Sequence, residues 1–581
     1  MGSIGIQNSP KYDVLIIGAG LSGICSLHHI RERFPSWRVK VLEAGSDVGG
    51  TWYWNRYPGA RFDSESISYG FSWDQDLLDE WHWKEAFSPQ PETLRYIQHV
   101  AKKHDLYKDI QFNTRIVSAT WQDDNGYENN ENTWTFTDDT GTQYRTTFFI
   151  SCLGFLSSPT LPNIAGIETF AGQAFHTSRW PENFDLSKLA NKRVGIIGTG
   201  ATGIQTITEL AKAPLKSLTV FQRTANWSAP LRNTKITQDE MSKLRQGYDS
   251  VFQVCSETPM GFLHQADPRK SADVTDAERT ELWNKLYAQP GFGKWLGVFR
   301  DTYTDREANR LYSEFMAQKI SGRISDPATA EDLIPKSHGF GLRRVPLESG
   351  YFEVFNQPNV RLVNLQRAPI DSISATGITT ADGTSHDLDV LIFATGFDAI
   401  TGAFREIRWS VKDGRPLLGY SSAPPTTTTT KPGKEEAAAV WMDHQPKTFL
   451  GLTVPSCPNM LMVLGPHQPF GNATRSIEHA VDVICELLQY CRDNNYTYVE
   501  PTEAAVQGWT EHVVESSQGL LSNEIDSWMT GVNKNVAGKA TRNVARYAGN
   551  AVEYRRRCEE CRLGGWKGLT FGTATTKGEH V

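Results

Sequence analysis

The chain has 581 residues, of which 39% are hydrophobic and 22% are charged, and its formal net charge is −7 at pH 7. This length suits two or three domains with full-sized cores. No basic excess is present to neutralise phosphates, so we expect neither nucleic acid nor an anionic membrane as a partner. The sequence contains no run of about 18 apolar residues, and residues 1–13 lack the features of a secretory signal. We therefore expect a cytoplasmic protein, and nothing in the sequence implies a protein partner.

The eight cysteines stand at irregular spacings. Cys558 and Cys561 have the CxxC spacing, but they form a single pair within the charged run EYRRRCEECR. A zinc site of this kind needs a second pair, so we predict no metal site. We expect reduced, structural cysteines, with a redox role for this pair as the alternative.

Two segments have the pattern of an apolar strand, a glycine turn and a helix. The first contains the strand YDVLIIG at Tyr12 and is followed by a second strand, RVKVLEA, at residues 38–44. The pattern restarts at Arg193 with RVGIIGTGATGIQ and then the strand LTVFQR. Both segments predict the opening half of a parallel α/β unit. The expected fold class is α/β, with two Rossmann-like dinucleotide-binding domains.

The first glycine turn, Gly18-Ala-Gly20-Leu-Ser-Gly23, lies between a strand and a helix. In such turns the first glycine permits the tight bend, the second lets backbone N–H groups approach a pyrophosphate, and the third lets the helix pack on the strand. Glu43 ends the next strand, about 20 residues further on, where a carboxylate accepts hydrogen bonds from ribose hydroxyls. The predicted contacts to a dinucleotide without a 2′-phosphate are Gly18, Gly20, Leu21, Ser22, Gly23 and Glu43.

The second glycine turn, Gly198-Thr-Gly200-Ala-Thr-Gly203, has the same spacing. Here Arg223 takes the place of the acid and offers a fixed cation to a 2′-phosphate, with a further hydroxyl donor at Thr224. The alternative is a surface arginine that falls at this position by chance. The predicted contacts are Gly198, Thr199, Gly200, Ala201, Thr202, Gly203, Gln205, Arg223 and Thr224.

The contrast between Glu43 and Arg223 assigns FAD to the first site and NADPH to the second. A chain that holds both moves hydride from NADPH to flavin. Residues between 238 and 334 read as polar helices and predict a helical insertion in the NADP domain, and residues 477–492 predict an amphipathic helix. The predicted division is FAD domain 1–155 and 389–581, with a low-complexity loop at 421–439, NADP domain 156–235 and 335–388, and helical subdomain 236–334.

Three further segments carry a family resemblance. They are GGTWYWNRYPGARFD at 49–63, FAGQAFHTSRWP at 170–181 and FGLRRVPLESGYFEVFNQPNV at 340–360. The second has the spacing F-x-G-x-x-x-H-x-x-x-W-P, which resembles the fingerprint of the type I Baeyer–Villiger monooxygenases. The segment FATGFD at 393–398 is similar to another segment of that family. The resemblance extends from Tyr12 to about Trp566.

The resemblance implies insertion of one oxygen atom from O₂ beside a ketone carbonyl, through a flavin C4a-peroxide, to give an ester or lactone. The peroxide must stay an anion, which requires a permanent cation beside it, and arginine is effectively never deprotonated. By resemblance this cation is Arg344, oriented by Asp63, while Arg343 joins Arg223 at the 2′-phosphate. The family more often has lysine at position 343.

The resemblance also implies that the segment after Glu43 contacts FAD. His176 is expected at an interdomain linker that relays the state of the cofactor, with direct acid–base chemistry as the alternative, and Trp180 is expected to be packed. The further flavin-side contacts are Gly50, Thr51, Trp52, Tyr53, Trp54, Arg61, Asp63 and Tyr69.

Two departures from the commoner family pattern fall where a ketone would bind. The loop at 421–439 is an insertion, and LGPHQPFGNATR at 464–475 lacks the usual serine-rich run. They favour a bulky ketone of the secondary-metabolite type, such as a terpenoid or polyketide. The alternatives are an N- or S-oxygenating flavin monooxygenase, an NADPH-dependent flavin oxidase or reductase, and a non-catalytic nucleotide-binding protein.

Overall fold

The computed structural model describes residues 11–123, 132–419 and 438–573. Its strands fall into two larger sheets and several small ones. The strands are β1 Lys11–Ile17, β2 Val39–Leu42, β3 Ile110–Gln111, β4 Ile116–Gln122, β5 Thr133–Asp138, β6 Gln143–Ser151, β7 Gln173–His176, β8 Arg193–Ile197, β9 Ser217–Gln222, β10 Ala229–Pro230, β11 Leu347–Glu348, β12 Val360–Asn364, β13 Ile370–Ser374, β14 Gly377–Thr380, β15 Ser385–Asp387, β16 Val390–Phe393, β17 Arg408–Ser410, β18 Leu418–Gly419, β19 Trp441–Met442, β20 Thr453–Val454, β21 Cys457–Met462, β22 Tyr498–Pro501 and β23 Leu569–Gly572.

Most residues between 238 and 333 that belong to regular structure are helical. The α-helices are α1 Leu21–Arg33, α2 Thr51–Trp54, α3 Ser66–Tyr69, α4 Gln75–Glu80, α5 Gln90–Lys103, α6 Ala201–Leu210, α7 Gln238–Arg245, α8 Tyr248–Glu257, α9 Asp276–Ala288, α10 Gly293–Leu296, α11 Arg306–Ser321, α12 Pro327–Leu333, α13 Gly402–Arg405, α14 Ala473–Asp493, α15 Glu503–Glu515 and α16 Ala551–Leu563. The predicted α/β fold class with two parallel units is confirmed.

The first sheet is built around β1, which pairs in parallel with β2 and β6. Residues 14–17 of β1 are at most 5% exposed. Val14 and Ile16 pack in a core with helices α1, α5 and α14, whereas Leu15 and Ile17 pack in a second core made mainly of strand residues. The antiparallel strands β4 and β5 extend the sheet beyond the first half of β6. The second half of β6 pairs with β21, so the C-terminal part of the chain returns to this sheet.

The second sheet has the order β12-β9-β8-β16-β7, and all its pairs are parallel. The strand β16 lies between β8 and β7, so the predicted boundary between residues 388 and 389 is wrong. The second unit continues through Phe393. A buried apolar strand has the same sequence pattern in either sheet, so its sequence could not assign it.

The predicted helical block contains α7 to α12, but it does not pack as one subdomain. Met241 of α7 and Tyr248 of α8 belong to the core of the first sheet. Trp283 of α9 and Phe315 of α11 belong to the core of the second sheet. The block therefore contributes to both units.

The C-terminal region closes the first unit. The predicted amphipathic helix is present as the longer α14, which packs on α1. Cys558 and Cys561 lie on α16, and both are buried with free thiols. No helix within the described ranges is long and apolar enough to cross a membrane. The predicted loop at 421–439, apart from its last two residues, lies outside the described residues.

We expect acid to destabilise the fold, because buried histidines are held neutral. Burial lowers the pKa of His467 and of His479 to about 4, from an ordinary value of 6.5. Between these values the unfolded chain binds more protons than the folded chain, so the free energy of unfolding falls as the pH decreases. Each such histidine removes about 1.4 kcal/mol per pH unit within the window. Thermal denaturation at a series of pH values from neutral to about 5 measures this loss.

The variant His467→Gln provides the comparison, because glutamine keeps a polar side chain but does not titrate. Its melting temperature should depend less steeply on pH than that of the wild type. Equal slopes for the two proteins would contradict the assignment of this proton to His467.

Candidate functional site

The first glycine turn has no room for side chains. Gly18 has φ +105°, and a Cβ there would lie 2.6 Å from the carbonyl oxygen of Cys152, the residue that follows β6. A Cβ on Gly23 would lie 1.8 Å from the carbonyl oxygen of Gly18. Helix α1 begins directly after Gly20, without a side-chain cap. The N–H groups of its first turn are therefore available to an anion.

The second turn repeats this geometry. Gly198 has φ +113°, and a Cβ there would lie 2.4 Å from the carbonyl oxygen of Ala394. A Cβ on Gly203 would lie 2.2 Å from the carbonyl oxygen of Gly198, whereas nothing lies within 4 Å of a Cβ on Gly200. Helix α6 also begins without a side-chain cap. Both predicted turns are built to bring backbone close to a ligand.

Glu43 lies beside the first turn and is 5% exposed. Its carboxylate accepts hydrogen bonds from the N–H of Ala19 at 2.7 Å and from that of Gly45 at 2.6 Å. Burial raises the pKa of Glu43, and these two donors oppose the rise. A carboxylate has about four lone-pair positions, so it can still accept from ribose hydroxyls.

Two arginines lie close together beside the second turn. Arg223 follows β9 and is exposed, while Arg343 is half-buried and its Nε is buried without a hydrogen-bond partner. Burial lowers the pKa of Arg343, the positive charge of Arg223 lowers it further, and Asp526 acts in the opposite direction. Two neighbouring cations favour an anion such as a 2′-phosphate. The hydroxyl of Thr199 donates to the carbonyl of Thr224 at 3.1 Å, which ties the turn to this strand end.

The predicted pair of Arg344 and Asp63 is present. An Nη of Arg344 lies 2.7 Å from a carboxylate oxygen of Asp63, and the same oxygen accepts the N–H of Leu347 at 3.1 Å. The Asp63 side chain is fully buried, whereas 31% of the Arg344 side chain remains exposed. The other carboxylate oxygen of Asp63 has no hydrogen-bond partner. The buried carboxylate of Asp63 thus positions the guanidinium of Arg344, which remains partly accessible.

Tyr57 is a site residue that the sequence analysis missed. Its hydroxyl donates to Oε1 of Gln205 at 2.8 Å, and Nε2 of Gln205 donates to the carbonyl of Arg61 at 3.1 Å. The pKa of Tyr57 is raised to about 12, mainly by burial; the hydrogen bond with Thr202 and the charge of Arg344 act against the rise, and the charge of Asp63 adds to it. The signal was the Tyr-Pro-Gly turn within the segment 49–63, which contacts α6 of the second unit. Gln205, predicted as a cofactor contact, therefore also joins the two units.

The other predicted flavin-side residues surround the first turn. Gly50 has φ +52°, and a Cβ there would lie 2.7 Å from Cα of Gly20, so α2 packs directly on the turn. Trp52 of α2 is 7% exposed, and its indole N–H donates to the hydroxyl of Tyr69 at 2.9 Å. Arg61 has its guanidinium 3.1 Å from Glu85.

The exposed end of α2 is held by side chains outside the predicted set. The Tyr53 hydroxyl lies 2.8 Å from the hydroxyl of Ser46. Trp54 carries the guanidinium of Arg179 over its ring, 4.6 Å from the ring centre. Thr51, also predicted to contact FAD, is exposed at the start of α2.

His176 is the last residue of β7, the edge strand of the second sheet, where it pairs with Phe393. It therefore belongs to the second unit, and the expected position in an interdomain linker is wrong. Its Nδ1 accepts the N–H of Ser178 at 3.1 Å, and its ring faces Phe397. Burial lowers the pKa of His176 to about 4, so the ring is neutral at pH 7. Trp180 is 4% exposed and donates to the carbonyl of Phe184 at 2.7 Å, which agrees with its predicted packing role.

These residues fit one FAD and one NADP. In both turns the first and third glycines exclude a Cβ atom, and each turn leads into a helix without a side-chain cap, which suits two pyrophosphates. The acid at position 43 suits an unmodified ribose, and the two adjacent arginines suit a 2′-phosphate.

A family model described as flavin-binding monooxygenase-like matches residues 11–233. The chain is 39% identical to a 2-oxo-Δ3-4,5,5-trimethylcyclopentenylacetyl-CoA monooxygenase of Pseudomonas putida, over 97% of this chain and 98% of the relative. It is 34% identical to a Baeyer–Villiger monooxygenase of Pseudooceanicola batsensis, over 90% of both. The chain belongs to the type I Baeyer–Villiger monooxygenases. It is an FAD- and NADP-dependent monooxygenase.

The fold agrees with this membership. The crystal structure of OTEMO complexed with FAD and NADP superposes with a TM-score of 0.88 and 38% identity, over 97% of this chain and 100% of that one. A further relative oxidises nitrogen by name: the phenazine N-monooxygenase PhzNO1 of Lysobacter antibioticus is 33% identical over 95% of this chain and 96% of the relative. Membership of the family therefore fixes the cofactors more firmly than the substrate.

Gly23→Ala should greatly weaken FAD retention, because the new methyl group would collide with the backbone of Gly18. Overpacking of this kind costs roughly 1–3 kcal/mol, or about 5- to 150-fold in binding. The ratio of flavin to protein absorbance after purification measures the loss. Gly508→Ala in α15 is the matched control, since nothing lies within 4 Å of its Cβ. The prediction is wrong if Gly23→Ala keeps as much FAD as Gly508→Ala.

Proposed function

We propose that this enzyme inserts one oxygen atom of O₂ between the carbonyl carbon and a neighbouring carbon of a ketone. The product is an ester or a lactone. NADPH supplies two electrons, and the second oxygen atom leaves as water. The observation that carries the proposal is the contact between the open side chain of Arg344 and the fully buried carboxylate of Asp63.

FAD, reduced by NADPH, supplies the activated oxygen when both cofactors are bound. Gly18, Gly20 and Glu43 would hold the adenosine half of FAD, with α2 packed against the turn. The turn of Gly198 to Gly203 would hold the pyrophosphate of NADP, with its 2′-phosphate on Arg223 and Arg343. We assign residues 11–155 with 394–573 to the FAD unit and the intervening residues mainly to the NADP unit.

Arg344 provides a positive charge at the site. As oxygen adds to the ketone, negative charge develops on the carbonyl oxygen, and a fixed guanidinium stabilises it. Asp63 restricts the rotation of Arg344. The carboxylate oxygen that contacts Arg344 also accepts the N–H of Leu347, which fixes the position of Asp63. The charge is therefore in place before the substrate enters, which avoids a reorganisation cost during the reaction.

N-oxygenation is the second candidate, because one relative is named as an N-monooxygenase. Oxidation of an amine nitrogen requires an electrophilic oxygen and develops no alkoxide on a carbonyl. It depends less on a cation at position 344. The retained pair of Arg344 and Asp63 favours the ketone reaction.

The ketone is proposed to be bulky, on the basis of the insertion at 421–439 and the unusual segment 464–475. A panel that includes cyclohexanone and polycyclic ketones tests this, with the product mass as the readout. Each product should gain one oxygen atom, and the polycyclic ketones should react faster. Turnover of cyclohexanone alone would contradict the size assignment and leave the reaction type intact.

Arg344→Ala should reduce ketone oxygenation by at least 10²- to 10³-fold, the loss typical of one removed oxyanion donor. NADPH-driven bleaching of the flavin should stay within about threefold of the wild type, since hydride transfer does not need this charge. Stopped-flow absorbance and product mass measure the two steps. Arg344→Lys keeps the charge but not the planar guanidinium, so its ketone turnover should lie between that of the wild type and that of Arg344→Ala. Substantial ketone turnover by Arg344→Ala would show that the assigned role is wrong.

Arg223→Ala and Arg343→Ala should each raise the KM for NADPH by roughly 10- to 100-fold, the value of a charge-assisted contact to phosphate. The KM for NADH should change little, because NADH has no 2′-phosphate. Steady-state oxidation of the two coenzymes gives the comparison. An equal rise in KM for NADPH and NADH would show that these arginines do not bind the 2′-phosphate.

A further inference from the structure

Arg546 is a half-buried arginine whose side chain has no partner within the described residues. Its Nε is buried and makes no hydrogen bond, and no ion pair to Arg546 occurs among residues 11–123, 132–419 and 438–573. Burial alone lowers its pKa, to about 10, with no contribution from a neighbouring charge. Buried charges in proteins are normally paired, because an unpaired charge loses its hydration without compensation. The guanidinium therefore needs an explanation.

The backbone around Arg546 is firmly fixed. Its neighbour Ala545 accepts the N–H of His467 at 3.0 Å, and Tyr547 donates its N–H to the carbonyl of Gln468 at 3.2 Å. His467 also contacts the carbonyl of Val544 through Nε2, at 3.1 Å. These bonds anchor the segment 544–547 on the loop that follows β21, so the side chain of Arg546 starts from a rigid base.

This loop lies at the ligand-binding edge of the first sheet. Val463 follows β21 and donates its N–H to Ser151, the last residue of β6, at 3.1 Å. The carbonyl oxygen of the next residue, Cys152, lies close to Gly18 of the first glycine turn. In α/β proteins ligands bind beyond the carboxyl ends of the parallel strands. Arg546 is therefore attached to the edge that carries the FAD turn.

An apolar cluster borders the same segment. Ala545 packs with Ala399 and Ile400, which follow β16, and the cluster also contains Leu156, Phe470 and Trp528. Leu156 lies in the linker that leaves the first unit, and Ala399 lies in the linker that returns to it. Arg546 directly follows Ala545 of this cluster and is itself half-buried, so part of its side chain remains open to a ligand. An apolar wall with one placed polar group is the usual lining of a small-molecule site.

We infer that Arg546 binds an anionic oxygen group, a carboxylate or a phosphate, on the ketone substrate. This inference rests on the proposed oxygenation of a ketone and narrows its substrate class to ketones that carry an acid. The planar guanidinium matches two oxygens of such a group and would fix which end of the substrate enters first. Arg546 is distinct from Arg344, which would stabilise the carbonyl oxygen of the substrate. It is also distinct from Arg223 and Arg343, which would bind the 2′-phosphate of NADP.

Matched substrates test the charge directly. The set is 2-oxocyclopentaneacetate, its methyl ester, and a cyclopentanone that carries a phosphomonoester. The variants are Arg546→Met, which keeps the length of the side chain, and Arg546→Lys, which keeps the charge. Arg556→Met is the control, since Arg556 is exposed on α16 and paired with Glu553.

The wild type should prefer one of the anions over the ester by about tenfold or more in kcat/KM. Arg546→Met should lower kcat/KM for that anion by roughly 10- to 100-fold, as expected for a lost charge-assisted contact. Its kcat/KM for the ester should change by less than about threefold. Arg546→Lys should recover part of the loss, and Arg556→Met should behave as the wild type. The anionic substrate whose kcat/KM falls more in Arg546→Met shows whether Arg546 binds a carboxylate or a phosphate. A wild type that treats anion and ester alike would overturn the inference.

Two measurements without turnover separate binding from structure. Without ligand, Arg546→Met should melt at the same or a higher temperature than the wild type, because it removes an uncompensated charge. The preferred anion should raise the melting temperature of the wild type and not that of Arg546→Met. A variant that melts several degrees lower would assign Arg546 a structural role and overturn the inference.

Two further outcomes discriminate between explanations. If Arg546→Met raises the KM for NADPH and leaves the ketones unaffected, the anion belongs to the coenzyme and the inference is wrong. If the wild type oxygenates no ketone at all, the proposed function fails, and the melting measurements alone then decide whether Arg546 binds the anion.

Discussion

The site depends on one desolvated carboxylate. Asp63 comes from the first unit, Arg344 comes from the second, and their contact at 2.7 Å joins the two where the chemistry occurs. Removing one partner of a buried ion pair leaves the other charge uncompensated, at a cost of roughly 3–5 kcal/mol. The pair therefore holds the guanidinium in place and also penalises any separation of the two units at this point.

Other contacts reinforce the same junction from the side of α6. The chain of hydrogen bonds from Tyr57 through Gln205 to Arg61 crosses between the units. Gly59 adds a close approach, since a Cβ there would lie 2.6 Å from the carbonyl oxygen of Gln205. A polar network that is satisfied on both sides fixes orientation better than an apolar contact of the same area. The helix that carries the second glycine turn is thus positioned by residues of the first unit.

Local features of the site could be predicted from the sequence, because a glycine turn, a strand-end acid and a strand-end arginine depend on neighbours within about 30 residues. The pairing of Asp63 with Arg344 came from resemblance, not from the residues themselves. What could not be predicted depends on distant contacts. These features depend on which segments meet in space: the position of β16 between β8 and β7, the packing of α7 and α8 on the first core, and the lack of a partner for Arg546 among the described residues.

The path of the chain between the sheets has a consequence for synthesis. The second sheet is complete once β16 has been made, whereas the first sheet still lacks β17, β20 and β21, and α1 still lacks its packing partner α14. Domains commonly fold as they leave the ribosome, beginning with the N-terminal one. Here we expect the inner unit to complete its sheet first, because the N-terminal strands have partners that are synthesised later. The core around β1 also includes Trp566, so it lacks residues until translation has passed that position.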